Sequence, residues 1–114
     1  MPKKTVHKKV LNRIIQQVID VAHPESIILF GSAARGEMGL HSDVDILVIK
    51  KGVYNSREVA ANIYLSLYGT NQSVDVIVVS PEQVEKYKNS PYMVIGPALR
   101  EGVVIYNAGT AAAG

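Results

Sequence analysis

The sequence predicts an α/β (α+β) sandwich: a mixed β-sheet with helices on one face. Two observations carry that expectation. Segments with apolar residues at helical spacing alternate with short runs of β-branched residues, in the order helix, strand, strand, helix, strand, helix, helix, strand. A hydrophobic fraction of 47% over 114 residues is also enough to build one core. One domain is therefore expected over residues 1–106, with the small, neutral stretch 107–114 as a flexible tail.

From Lys3 to Ala22, apolar residues recur at Val6, Val10, Leu11, Ile14, Ile15, Val18 and Ile19, the rhythm of an amphipathic helix. Pro24 closes it. Ser26–Phe30 reads as the first strand and Asp43–Lys50 as the second, with Lys51-Gly52 turning the chain. Ser56–Tyr68 follows as a helix with Val59, Ile63 and Leu67 on one face, Ser56 in its cap region and Gly69 as its stop. Ser73–Ser80 is nearly all β-branched and makes a third strand. Pro81 to about Lys88 is a short helix. Pro91–Arg100 is a second one, which Gly96-Pro97 is expected to kink or break. Val103–Tyr106 is the last strand.

Composition excludes several functions. Without cysteine there is no disulfide frame, no thiolate zinc site and no catalytic thiol, which suits a cytoplasmic protein. No apolar run approaches the ~20 residues of a spanning helix. The lysine-bearing N-terminal stretch is amphipathic with no cleavage site after it, so neither a signal peptide nor a membrane role is expected. The net charge is only +2, and Lys3, Lys4, Lys8, Lys9, Lys50 and Lys51 read as solvated faces. With one phenylalanine and no basic–aromatic alternation, direct nucleic-acid binding is not expected. The glycines lack the Gly-Lys-Ser/Thr of a P-loop and the Gly-x-Gly-x-x-Gly of a dinucleotide fold.

The chemistry concentrates in residues 27–49. The first strand delivers Gly31-Ser32, and the second opens with Asp43 and Asp45. Side chains two apart on a strand point the same way, so these carboxylates share a face. Like charges at the mouth of an apolar strand are costly unless a cation compensates, and hard divalent cations accept carboxylate and phosphate oxygens together. Gly31 permits close backbone approach, Ser32-Ala33-Ala34-Arg35 can begin a helical turn that favours a phosphate, and Arg35 offers a planar fork for phosphate oxygens. Asp75 shares a face with Ile77 and Val79, in the same phase as Asp45 with Leu47 and Ile49. Paired side by side, the two strands would set the three aspartates together.

Simpler roles compete at each position. Asp43 could cap a turn, Asp75 could pair with Arg35, and Arg35 could bind Glu37 at the surface. His41 lies beside Ser42-Asp43, but a loop histidine by itself carries no role, and none is given to His7 or His23.

Gly31-Ser32, ten residues, then Asp43-Val44-Asp45 resembles the motif of the DNA polymerase β-like nucleotidyltransferase superfamily. The fuller string, Gly-Ser-Ala-Ala-Arg-Gly followed by Ser-Asp-Val-Asp-Ile-Leu-Val, is most similar to its smallest members, the minimal nucleotidyltransferase (MNT) domains. The likeness spans Ile27 to Tyr106. It implies the polymerase β-like fold and a magnesium-dependent transfer from ATP, with two ions held by Asp43, Asp45 and Asp75. In that scheme Gly31, Ser32, Arg35 and Ser42 bind the nucleotide. Little chain remains beyond the catalytic sheet, so a partner is expected to supply the acceptor. Minimal members pair with all-helical HEPN toxins, and the resemblance implies an antitoxin that places AMP on a toxin tyrosine. An antitoxin that works by binding alone, or transfer to a small molecule such as an aminoglycoside, are the alternatives.

Overall fold

The computed structural model describes residues 8–36, 43–91 and 93–109, and the expected strands and helices form in the expected order. Helix α1 (Lys8–Ala22) leads into β1 (Ser26–Phe30), the short α2 (Gly31–Arg35) and β2 (Val44–Ile49). Then come α3 (Ser56–Ser66), β3 (Val74–Val79), α4 (Pro81–Tyr87), α5 (Ile95–Glu101) and β4 (Val103–Asn107). The four strands form one sheet in the order β3-β2-β1-β4. β1 is antiparallel to β2 and to β4, and β2 is parallel to β3, with α3 as the crossover that parallel pairing requires. The sheet is thus mixed, as expected.

Period-two alternation decides which face each side chain takes. Val44, Ile46 and Val48 of β2 join Ile27 and Leu29 of β1 and Val76 of β3 against Ile14, Val18 and Ala22 of α1 and Ile63 and Leu67 of α3. This is the main core, and each fully buried isoleucine or valine in it stabilises the fold by about 1.5–3 kcal/mol. The other face holds Ile28, Leu47, Ile49 and Val79, packed on Ile95 and Ala98 of α5, with Val84 and Tyr87 of α4 at the margin. Helices therefore cover both faces, where a single covered face was expected. α4 and α5 have seven residues each and too few apolar positions to announce a packing face in sequence.

Several local expectations are corrected. Asn55 caps α3 in place of Ser56, its side-chain oxygen accepting from the N–H groups of Arg57 and Glu58 at 3.0 and 3.1 Å. Gly96-Pro97 neither kinks nor breaks α5. The helix begins at Ile95, so Pro97 falls in the first turn, where its missing N–H has no intrahelical acceptor to lose. β4 runs through Asn107, and the Ala108 N–H then donates to the Glu25 carbonyl at 2.8 Å. Side-chain hydrogen bonds tie down the sheet's surroundings: Lys50 Nζ donates to the Ala22 carbonyl at the end of α1 (2.6 Å), and the Val76 N–H on the edge strand β3 donates to the Tyr64 hydroxyl (2.8 Å). Among the described residues, no helix is long and apolar enough to cross a membrane.

Candidate active site

β2 is a central strand with five of its six residues buried, and the exception is Asp45. A carboxylate in such a strand disrupts the core unless it stands near the strand's end, and Asp45 is second from the start of β2. In the parallel ladder Asp45 is the register partner of Asp75, so both project from the α5-side face, as the phase of the two strands predicts. Asp43 precedes β2 by one residue and has the same parity. It is partly buried, as is Asp45, while Asp75 is exposed. Among the described residues, no three acidic, histidine or cysteine side chains are already gathered as a metal site. Asp45 and Asp75 lie side by side near the starts of β2 and β3, with Asp43 just before β2.

The carboxylates act on one another electrostatically. Desolvation raises the Asp45 carboxyl above its ordinary value, the charges of Asp75 and then Asp43 raise it further, and Arg35 opposes them. Three carboxylates against one guanidinium leave an excess of negative charge. The donor set is all oxygen, with neither sulfur nor imidazole, which suits a hard divalent cation. The residues present therefore fit magnesium.

On the other side of Asp45 lies the turn that carries Gly31 and Ser32. Phe30, the register partner of Asp45 on β1, occupies the N-cap position of α2 and offers that helix no side-chain cap. Gly31 has φ +71°, and a Cβ there would overlap Asp45 Oδ2 and lie 3.3 Å from its Cγ. Glycine is thus required twice, by the left-handed backbone and by the carboxylate pressed against it. Ser32 follows, partly buried, and Arg35 ends α2 exposed. Gly36 closes the helix in the left-handed conformation, its N–H donating to the Ala33 carbonyl at 3.3 Å.

Arg35 Nη1 lies 4.0 Å from Glu101 Oε2. Glu101 was not singled out in the sequence, because its approach to Arg35 depends on α5 lying across β1. Glu37, the partner weighed from sequence, lies outside the described residues, as do Ser42 and His41. Arg35 and Glu101 form the rim of a cavity of about 210 Å³ walled by Phe30, Val94, Pro97 and Ala98. Two larger cavities, of about 330 and 400 Å³, lie away from the aspartates, one lined by His23, Glu25 and Lys51 and the other by Tyr54, Ser80 and Glu82.

The mixed sheet thus sets two aspartates in register, one of them against the glycine–serine turn. The chain belongs to the family described as Polymerase beta, Nucleotidyltransferase, which it matches over residues 12–110. It is a nucleotidyltransferase domain of the polymerase β-like superfamily. Its fold is similar to that of a Sulfolobus solfataricus protein assigned as a nucleotidyltransferase, with 23% identity and a TM-score of 0.61 over 89% of this chain and 80% of that one. It is also similar to a chain of a toxin–antitoxin structure with AMP-PNP, with 22% identity and a TM-score of 0.59 over 88% of this chain and 75% of that one. No curated protein sequence matches the chain.

Proposed function

We propose that the chain transfers AMP from ATP to a protein hydroxyl, a tyrosine of a HEPN-type toxin, and acts in the cytoplasm as the antitoxin of that pair. The observation that carries the chemistry is the register of Asp45 with Asp75, one strand away from Gly31. Likeness to a toxin–antitoxin chain solved with AMP-PNP supports the adenine nucleotide and the toxin partner.

Asp43, Asp45 and Asp75 would hold magnesium, as two ions. Bound there, the ions neutralise phosphate charge and lower the pKa of the acceptor hydroxyl. Ser32 and Arg35, with Ser42, steady the β- and γ-phosphates, Arg35 through paired N–H donors. The acceptor oxygen bonds to the α-phosphorus as the bond from that phosphorus to the bridging oxygen of the β-phosphate breaks, and pyrophosphate leaves. The hydroxyl proton passes to a carboxylate oxygen of Asp75.

The test is intact-mass analysis of the copurifying partner after incubation with this chain and Mg-ATP. A gain of one adenylate is expected, and Asp43→Ala or Asp45→Ala should abolish it with the fold retained by circular dichroism. A double variant that still neutralises the partner fully would replace modification by binding as the antitoxin mechanism. Label found on an aminoglycoside and never on protein would overturn the acceptor.

A further inference from the structure

We infer that Glu101 is a positioning residue for the nucleotide donor: its carboxylate holds Arg35 in the place of a phosphate before the donor arrives, and takes Arg35 back as pyrophosphate leaves. The inference rests on the proposed phosphate-binding role of Arg35 and adds a residue that the motif does not contain. Arg35 Nη1 and Glu101 Oε2 are 4.0 Å apart, and the two side chains are 47% and 63% exposed. Such a pair is loose enough to exchange. Their backbones, in contrast, are anchored. Arg35 ends α2 against the Gly36 cap. Glu101 ends α5, and the next residue, Gly102, donates to the Ala98 carbonyl at 2.8 Å. A Cβ on Gly102 would lie 2.6 Å from Ile28 Cγ2 and 2.9 Å from the Leu29 carbonyl, so the end of α5 sits flush on β1.

The charge of Arg35 also acts on Asp45, so one guanidinium serves both a carboxylate of the proposed site and Glu101. The two rim charges share one cavity. A triphosphate brings more charge and more acceptor oxygens than a single carboxylate, so it wins Arg35 from Glu101. An exposed pair changes an equilibrium by a factor of about 1.4 to 5. Glu101 should therefore weaken donor binding by a few-fold and ease product release by the same factor.

The experiment is calorimetric titration of Mg-ATP, and separately of Mg-pyrophosphate, into the wild type, Glu101→Gln, Glu101→Asp, Arg35→Gln and the Glu101→Gln/Arg35→Gln pair. Glu101→Gln should bind both probes about 1.4- to five-fold more tightly at low ionic strength, and the gain should fade by ~0.5 M salt. Glu101→Asp should keep the wild-type affinity, and in the Arg35→Gln background Glu101→Gln should change nothing. Unchanged or weaker binding by Glu101→Gln overturns the inference, as does a gain that persists without Arg35. A wild type that binds no Mg-ATP overturns the proposed site and the inference with it, a result distinct from normal wild-type binding that Glu101→Gln leaves untouched.

Discussion

Gly31→Ala tests the contact on which the site depends. Two costs follow from the structure. Alanine at φ +71° adopts a left-handed conformation that costs about 1–2 kcal/mol. Its Cβ must also displace the Asp45 carboxylate, and pushing that side chain off its rotamer adds about 0.5–1.5 kcal/mol. Reduced freedom of the unfolded chain returns about 0.4–1 kcal/mol. The net loss is about 0.5–3 kcal/mol, which at this length lowers the melting temperature by roughly 2–12 °C.

Function should suffer more than stability, because a carboxylate moved by about an ångström costs on the order of 10²-fold in transfer rate. The assay is a thermal melt in the wild-type and Asp45→Ala backgrounds, paired with Mg-ATP titration and the rate of adenylate transfer in the wild-type background. With the Asp45 carboxylate gone, only the backbone strain remains, so Gly31→Ala should cost less there. Equal costs in both backgrounds would refute the close contact. An unchanged melting temperature together with unchanged nucleotide binding would refute the whole argument for Gly31.

Charge, edge and core give three more expectations. Asp45 has a raised carboxyl pKa, so its ionised form is disfavoured in the fold: stability should fall as pH rises from the ordinary value of 3.8 through the raised one, and the loss persists at neutral pH. Asp45→Asn should therefore melt higher than the wild type at pH 7 without magnesium, while magnesium raises the wild type and leaves the variant unmoved; a lower melting temperature for the variant would contradict this. Tyr64→Phe leaves the Val76 N–H on β3 without its hydroxyl partner and should cost about 1 kcal/mol, with faster hydrogen exchange at that amide as the site-specific readout. Ile63→Ala removes a fully buried side chain between α3 and the sheet and should cost about 2–5 kcal/mol in urea unfolding with the slope unchanged.

What could be read from the sequence was whatever has a short period. The phase of Asp45 with Leu47 and Ile49, and of Asp75 with Ile77 and Val79, predicted one shared face, and the parallel register of β2 and β3 agrees. The helical rhythm of α1 was equally plain. The contacts that were missed join residues remote in sequence, or depend on a competition that composition cannot decide. Asn55 and Ser56 are both good caps, and only the backbone path chose Asn55. Pro97 was expected to break α5 because the start of the helix was placed too early; with Ile95 first, the same proline is harmless. The second helical layer and the approach of Glu101 to Arg35 both follow from α5 packing over β1.

Parallel pairing is what brings Asp45 and Asp75 to the same end of the sheet. An antiparallel β3 would run its start away from the start of β2 and carry Asp75 to the far end of the sheet, whereas the α3 crossover returns the chain so that both strands begin at the same edge. Register is equally strict: a slip of one residue would turn Asp75 toward α3 and put Val74 or Val76 beside Asp45. What prevents that slip is the opposite face, where Val76 of β3 packs with Ile63 and Leu67 of α3 in the main core. The core under α3 thus holds the register that sets two aspartates side by side on the other face. Substitutions there should reach the chemistry through strand alignment, without touching a nucleotide.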